Sequence, residues 1–358
     1  MNMKTRSLVL AAALVPMVVD AQGPLVPPGP PGPTFKTLQQ LEPRTPISAL
    51  PFTISAAGSY YLTTNLTGTA NGGITISASG VTLDLMGFEL TGGPAGSGVR
   101  VFPVAQTNVC VRNGTVRGWQ AWGVDIELAD NSMLESLLAA GNGLSGATAG
   151  GLRVGNHSIA RNCTSARNGG SGMIIVDGVV SDCAARFNGG NGISTGGNST
   201  VTRCAAANNN FSGISVGGGA TVTACTAGNN SMDGIVADSG STVSGCTVNF
   251  NTGDGIQVSS GCRVADNTCH QNGSGVGDGA GIHATGADNR IDSNNVTSND
   301  RGIDVDVVGN LIIRNSARGN TANYSAIVAG NSVGEIVDLS AAGGTLNETH
   351  GPWANISF

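Results

Sequence analysis

The sequence predicts an all-β chain wound as a solenoid of about twelve coils, with three short strands in each coil. Three observations lead there. Of 358 residues only 11% are charged and 4% are aromatic, while glycine supplies 56, so large side chains are too scarce to fill a thick core. A glycine followed by an aliphatic residue also returns along the chain, at Gly73-Ile74, Gly98-Val99, Gly123-Val124, Gly151-Leu152, Gly172-Met173, Gly192-Ile193, Gly213-Ile214, Gly234-Ile235, Gly255-Ile256, Gly281-Ile282 and Gly302-Ile303, with Ala326-Ile327 a weaker last copy. Most steps between copies are 20 or 21 residues, lengthening to 25 to 28 in the first coils. Finally, Asn168, Asn188, Asn209, Asn230, Asn251 and Asn272 recur just ahead of the glycines with nearly the same step.

Taken in chain order, residues 1–21 read as a signal peptide. Lys4 and Arg6 precede an apolar run from Leu8 to Val19, and Val19-Asp20-Ala21 offers the small residues of a cleavage site. The run is shorter than the roughly 20 residues of a membrane span and is broken by Pro16, so no membrane insertion is expected. The mature chain is expected to be secreted, periplasmic or on the cell surface. Residues 22–34, with Pro24, Pro27, Pro28, Pro30, Pro31 and Pro33, read as an extended linker. Residues 35–62 are assigned to an N-terminal cap, with Phe35, Leu38 and Leu41 at helical spacing, because an uncovered first coil is an unpaired strand edge. The solenoid is placed at 63–335, and 336–358 forms a C-terminal cap or tail using Trp353, Ile356 and Phe358. With net charge −6 and lysine only at Lys4 and Lys36, no basic patch exists for nucleic acid.

Within a coil, pieces such as Gly255-Ile256-Gln257-Val258 and Thr242-Val243-Ser244 alternate apolar with polar, which is strand periodicity. A second apolar column, Ile159, Val180, Val201, Val222, Val243, Val264, Ile291 and Ile312, keeps the same step and lengthens together with the glycine column near residue 270. Stacked asparagines at a bend bond backbone and neighbour, and asparagine tolerates the left-handed conformation. Leucine-rich repeats share the length but need a fixed leucine and a helical segment, and the Asp of calcium nonapeptide repeats does not recur here. On these Gly-Ile and Ile-x-x-Asn patterns, over about residues 50 to 330, the chain resembles the right-handed parallel β-helix repeat proteins of the pectin-lyase-like superfamily, and the opening Ala57-Gly58-Ser59-Tyr60-Tyr61-Leu62 is similar to that of uncharacterised secreted members. The resemblance implies the fold but no single activity, because that fold carries lyases, hydrolases, epimerases, tailspikes and adhesins.

Eight cysteines in an exported chain would ordinarily suggest disulfides. However, Cys163, Cys183, Cys204, Cys225 and Cys246 share one column, continued by Asn267, Asn294 and Asn315. In-register neighbours hold their Cβ atoms about 4.8 Å apart, wider than the ~3.8 Å of a disulfide, so a buried, reduced ladder is expected. Cys262 and Cys269 are the pair best placed to bridge locally, and no metal-ligand spacing is present.

Chemistry on such a rod must use outward side chains from adjacent coils. The position after each Gly-aliphatic pair reads Ser194, Ser215, Val236, Gln257, His283 and Asp304, and the position before it reads Asn191, Ser212, Asp233, Asp254, Ala280 and Arg301. Charge therefore gathers at the C-terminal end, and His283, Asp304, Asp306, Asp254 and Arg301 are the candidate acid, base and charge-stabilising residues. The segment from Asn272 to Gly281 is an insertion carrying Asp278, expected to overhang His283 and touch substrate; Trp119 and Trp122 are the adjacent aromatics that could stack on a sugar. Two carboxylates about 5 Å apart would fit double displacement on a glycoside, whereas a carboxylate cluster with an arginine could hold Ca2+ and abstract a sugar-ring proton. Ca2+ is thus the cofactor of a lyase reading, and no other cofactor is identified. Without lysine in the coils, lysine-based lyase chemistry is excluded. The expected partner is polysaccharide or a cell-surface glycan, met by a binding or structural rod, the alternative being a polysaccharide-active enzyme.

Overall fold

In the computed structural model, residues 43–358 are described apart from 70–71, 147–148, 275–278, 326, 328, 341–345 and 347–348. The signal peptide, the linker, the capping helix and Asp278 fall outside the described residues, and so does Ala326. Arg44–Phe358 form one compact unit, and its described residues contain strands and turns but no helix.

Among the described residues the Gly-aliphatic segments build one 13-stranded parallel sheet, from Phe52–Ile54 to Ala322–Ser325, each strand paired with the one a coil away. The other two strands of a coil, such as Thr221–Thr223 and Thr226–Gly228, are separated by a two-residue corner and pair with the same neighbours. Three strands per coil and a solenoid of about twelve coils are thus what the chain forms. Strand pairing starts at Thr45 with Ile47 and Ile54 fully buried, inside the stretch assigned to the N-terminal cap. At the other end Asn355–Ser357 pairs with Ser316–Arg318, while Trp353 and Phe358 lie against the guanidinium groups of Arg314 and Arg318.

The aliphatic column stacks in register, Ile193 on Ile214, Ile235, Ile256, Ile282 and Ile303, all buried. Burying each such side chain stabilises the fold by about 1.5–3 kcal/mol. The glycine before it has a spatial cause. A Cβ on Gly213 would lie 2.6 Å from the side-chain nitrogen of Asn230 and 2.8 Å from the Gly234 carbonyl, so any larger residue would push the coils apart. Two positions depart from expectation. Opposite Ile303 the last strand places Tyr324, not Ile327, and the Tyr324 hydroxyl donates to the carbonyls of Asn315 and Ile356. In the second column, Ala160 rather than Ile159 pairs with Val180; Ile159 points outward. The coil from Cys163 to Cys183 has 20 residues instead of 21, and that missing residue shifts the inward position by one.

The asparagine ladder is continuous from Asn142 to Asn320: each buried amide donates to the next coil's Asn Oδ1, at 2.9 Å from Asn230 to Asn251 for example, and to a backbone carbonyl. The left-handed residue is not the ladder asparagine but the one before it, as at Asn208, Asn229 and Phe250 with φ near 55°. A second ladder, Asn267, Asn294, Asn315 and Asn355, continues the cysteine column as expected. All eight cysteines are free, seven of them buried. The column thiols donate to carbonyls, as Cys204 does to Thr202 at 3.2 Å. Cys262 and Cys269 do not bridge: one sits at a corner beside Asn289 and the other inside a strand beside Val248 and Val296. Burial pushes both thiols up, which leaves them protonated and unreactive.

Candidate functional site

Ala280–Ala284 and Arg301–Val305 are adjacent strands of the 13-stranded sheet, paired Ile282 to Ile303 and His283 to Asp304. Pleating turns the isoleucines inward and His283 and Asp304 outward. His283 does not bond to its register neighbour but reaches diagonally to two other carboxylates. Its Nδ1 lies 2.8 Å from Asp254 Oδ2, and its Nε2 lies 3.1 Å from Asp306 Oδ2. Both ring nitrogens face acceptors, and only the doubly protonated imidazolium can donate to both. Consistently, the Asp254 hydrogen bond raises the His283 pKa to about 9 against the opposing effect of burial, with Asp306 adding to the rise. The ring is an imidazolium at neutral pH.

Asp254 is only 4% exposed and is held from several sides: it accepts from the Ala280 N–H at 2.6 Å and from Gln257 Nε2 at 3.2 Å, as well as from His283. Its own N–H donates to Asp233 Oδ1 at 2.8 Å. Burial pushes the Asp233 carboxyl up, and the charge of the stacked Asp254 adds to this. Asp254 is therefore a positioning residue that fixes the ring of His283.

Asp304 corrects an expectation. Its pleat position is outward, yet it is 1% exposed, tied by an ion pair to Arg301, and its Oδ1 is the one buried side-chain oxygen without a hydrogen-bond partner among the described residues. It cannot meet a polymer directly. The groups that solvent reaches are Asp306, whose side chain is 47% exposed, Arg301 and the edge of His283. The structure thus gathers all five candidates but gives two of them, Asp254 and Asp304, supporting places. His283, Asp304 and Asp306 each offer one ligand atom within 4.8 Å of the others. This set could receive a divalent cation, although to Ca2+, which takes six to eight oxygens, it offers only two carboxylates. A cation on Nε2 would also have to displace the proton held there.

The tryptophans are a second correction. Trp119 is 0% exposed, its Nε1 donating to the Leu90 carbonyl at 3.1 Å, and Trp122 is 5% exposed with the Arg153 guanidinium across its ring at 5.0 Å. The coils here have 25 and 28 residues against 20 or 21 in most later ones, and the rings lie inside them against Gly68 and Gly150. Neither presents a face to a sugar. Sequence reasoning also stopped short on the outward column, which reads Thr75, Arg100, Asp125, Arg153 and Ile174 toward the N-terminus, in register. The glycine pairs already marked would have located these residues.

These features define a right-handed parallel β-helix with a histidine and carboxylate cluster on one sheet. The "Right handed beta helix region" family model matches residues 72–224 and 217–341, and the chain belongs to that family. No curated protein matches it. Among solved structures it is similar to the A-module of mannuronan C-5 epimerase AlgE4 from Azotobacter vinelandii, with TM-score 0.61, 16% identity and coverage of 77% of this chain and 91% of that one. It is also similar to the Dettilon tailspike protein (TM-score 0.47, 12% identity, 82% and 62% covered) and to the catalytic domain of a GH87 α-1,3-glucanase (TM-score 0.44, 13% identity, 88% and 62% covered). At these identities the likeness concerns the fold.

Proposed function

We propose that the chain is an extracytoplasmic enzyme acting on polysaccharide by proton transfer, with His283 as donor and Asp306 as acceptor. The observation that carries this is the Asp254–His283–Asp306 arrangement, in which one imidazolium lies between a buried and an exposed carboxylate. A carboxylate pair for glycoside hydrolysis needs the sugar between its members; here the imidazole fills that space. Proton removal and return at a sugar ring, the chemistry of a lyase or an epimerase, suits the geometry better. Asp254 orients His283, and Asp304 holds Arg301 where its charge faces the negative form of the reacting sugar. The expected signal peptide supports a secreted, periplasmic or cell-surface location.

The test is incubation of the mature protein with neutral and acidic polysaccharides, with and without Ca2+ and with a chelator, following reducing ends, ultraviolet absorbance of unsaturated sugars and deuterium uptake from solvent. New ends with absorbance identify a lyase, and deuterium uptake without new ends an epimerase. New ends without absorbance identify a hydrolase and overturn the proton-transfer reading. Silence across the panel favours a binding or structural rod, the reading that the loss of Trp119 and Trp122 as platforms weakens.

A further inference from the structure

The N-terminal end of the same outward column carries a second polar cluster whose hydrogen-bonding capacity is unevenly used. Arg153 holds both oxygens of Asp125, at 3.0 and 2.9 Å, and Glu127 at 2.9 Å. That consumes the two acids that line the same cleft as Arg100. The Arg100 Nε donates to Thr75 Oγ1 at 3.2 Å, its guanidinium carbon lies 5.0 Å from the centre of the Phe102 ring, and no carboxylate is within ion-pair distance among the described residues. Its two terminal nitrogens are therefore available as a planar pair of donors, the arrangement that grips a carboxylate. Phe102 is 50% exposed beside it, and a cleft of about 320 Å³ is bounded by Arg100, Phe102, Asp125, Glu127 and Arg153. That volume is at the lower end of small-ligand sites.

We propose that this cleft is a distal glycan subsite, in which Arg100 binds the carboxylate of an acidic sugar unit while Phe102 stacks on its ring. The inference rests on the reading of the chain as polysaccharide-active and adds the substrate class, an acidic polymer. Strand pairing separates Arg100 from His283 by eight coil steps on one sheet, roughly 38 Å at the strand spacing. Between them the column carries Asp125 and Arg153, which neutralise one another as an ion pair, and then Ile174, Ser194, Ser215, Val236 and Gln257, all uncharged, so a polymer lying along the sheet meets no unpaired acid in that column. A polymer that spans the distance gains from both ends, whereas a short oligosaccharide at His283 does not reach Arg100.

The experiment measures binding of polygalacturonate and alginate, of their carboxyl-reduced forms and of their trisaccharides, by calorimetry on the wild type and on Arg100→Gln and Phe102→Leu, with melting temperature as the check on folding. The expected result is at least tenfold weaker binding of one acidic polymer by Arg100→Gln, a smaller loss for Phe102→Leu, no change for the reduced polymers, and a smaller loss for the trisaccharides, which cannot span both sites, than for the polymer. Equal losses on acidic and reduced polymers, or unchanged polymer binding, overturn the proposal, and Phe102→Leu decides it if Arg100→Gln does not fold. Arg100-dependent binding without turnover upholds the subsite and refutes the catalytic reading; turnover with an Arg100→Gln variant that binds as the wild type does refutes only the subsite.

Discussion

Arg100, Asp125 and Arg153 at one end of the sheet and Gln257, His283 and Asp304 at the other occupy the same slot in the coil, yet they hold charge differently. At the N-terminal end arginine pairs with the acids over aromatic rings, and arginine keeps its proton at any pH of interest. At the C-terminal end a histidine lies between carboxylates, so the charge is a proton that can leave. Under the proposed function one end would hold and the other would transfer. The difference comes from the occupant of each slot, since the backbone register is the same in both.

The comparison breaks most sharply by paired substitution. His283→Gln is expected to lower turnover by 10² to 10⁴, the usual worth of a positioned acid or base, whereas Arg153→Gln leaves turnover number unchanged and raises KM on long polymers only. Steady-state rates on long and short substrates decide this, and equal effects from the two variants would erase the distinction. Next in size, Asp254→Asn removes the main cause of the raised His283 pKa, which should fall from about 9 toward its ordinary value. Imidazole proton shifts in NMR read this directly, and the same variant should lose turnover without loss of binding.

A smaller effect is the dependence of stability on pH. Because the folded pKa of His283 lies above the unfolded one, its contribution is fully present below about pH 6.5 and is lost as pH rises through about 9. Allowing for solvent screening, that contribution is about 2 kcal/mol. Melting curves from pH 6 to 10 should show the slope in the wild type and not in His283→Gln. The ion pairs at the N-terminal end add no slope in that window, and Arg153→Gln should cost under about 1 kcal/mol because its pairs are part-exposed.

The columns of Gly-Ile pairs and asparagines were legible because a repeating coil leaves the same residue at the same place, and their register in the structure follows directly. Ile159 was misplaced because a deletion of one residue is visible only after the coils are aligned. Parity along a strand told that Asp304 points outward, but its burial depends on Arg301 and the neighbouring strands, which parity does not encode. The Asp254–His283 contact joins residues 29 apart on a diagonal between coils, a geometry that column reading does not reach. Trp119 and Trp122 looked exposed because large aromatics are rare in the short coils; the longer early coils bury them inside.

One column of the solenoid changes from cysteine to asparagine at Asn267. From Cys183 to Cys246 each corner adds a thiol contact of 3.5 to 3.8 Å to the previous coil, and from Asn267 on each adds amide bonds near 3.0 Å to both neighbours. The rod is therefore a spring of uneven stiffness. Pulled along its axis, it should yield in the cysteine-bearing coils before the asparagine-bearing ones. The coils that bear His283 would be among the last to part, which a single-molecule stretching trace would register as early rupture confined to the softer segment.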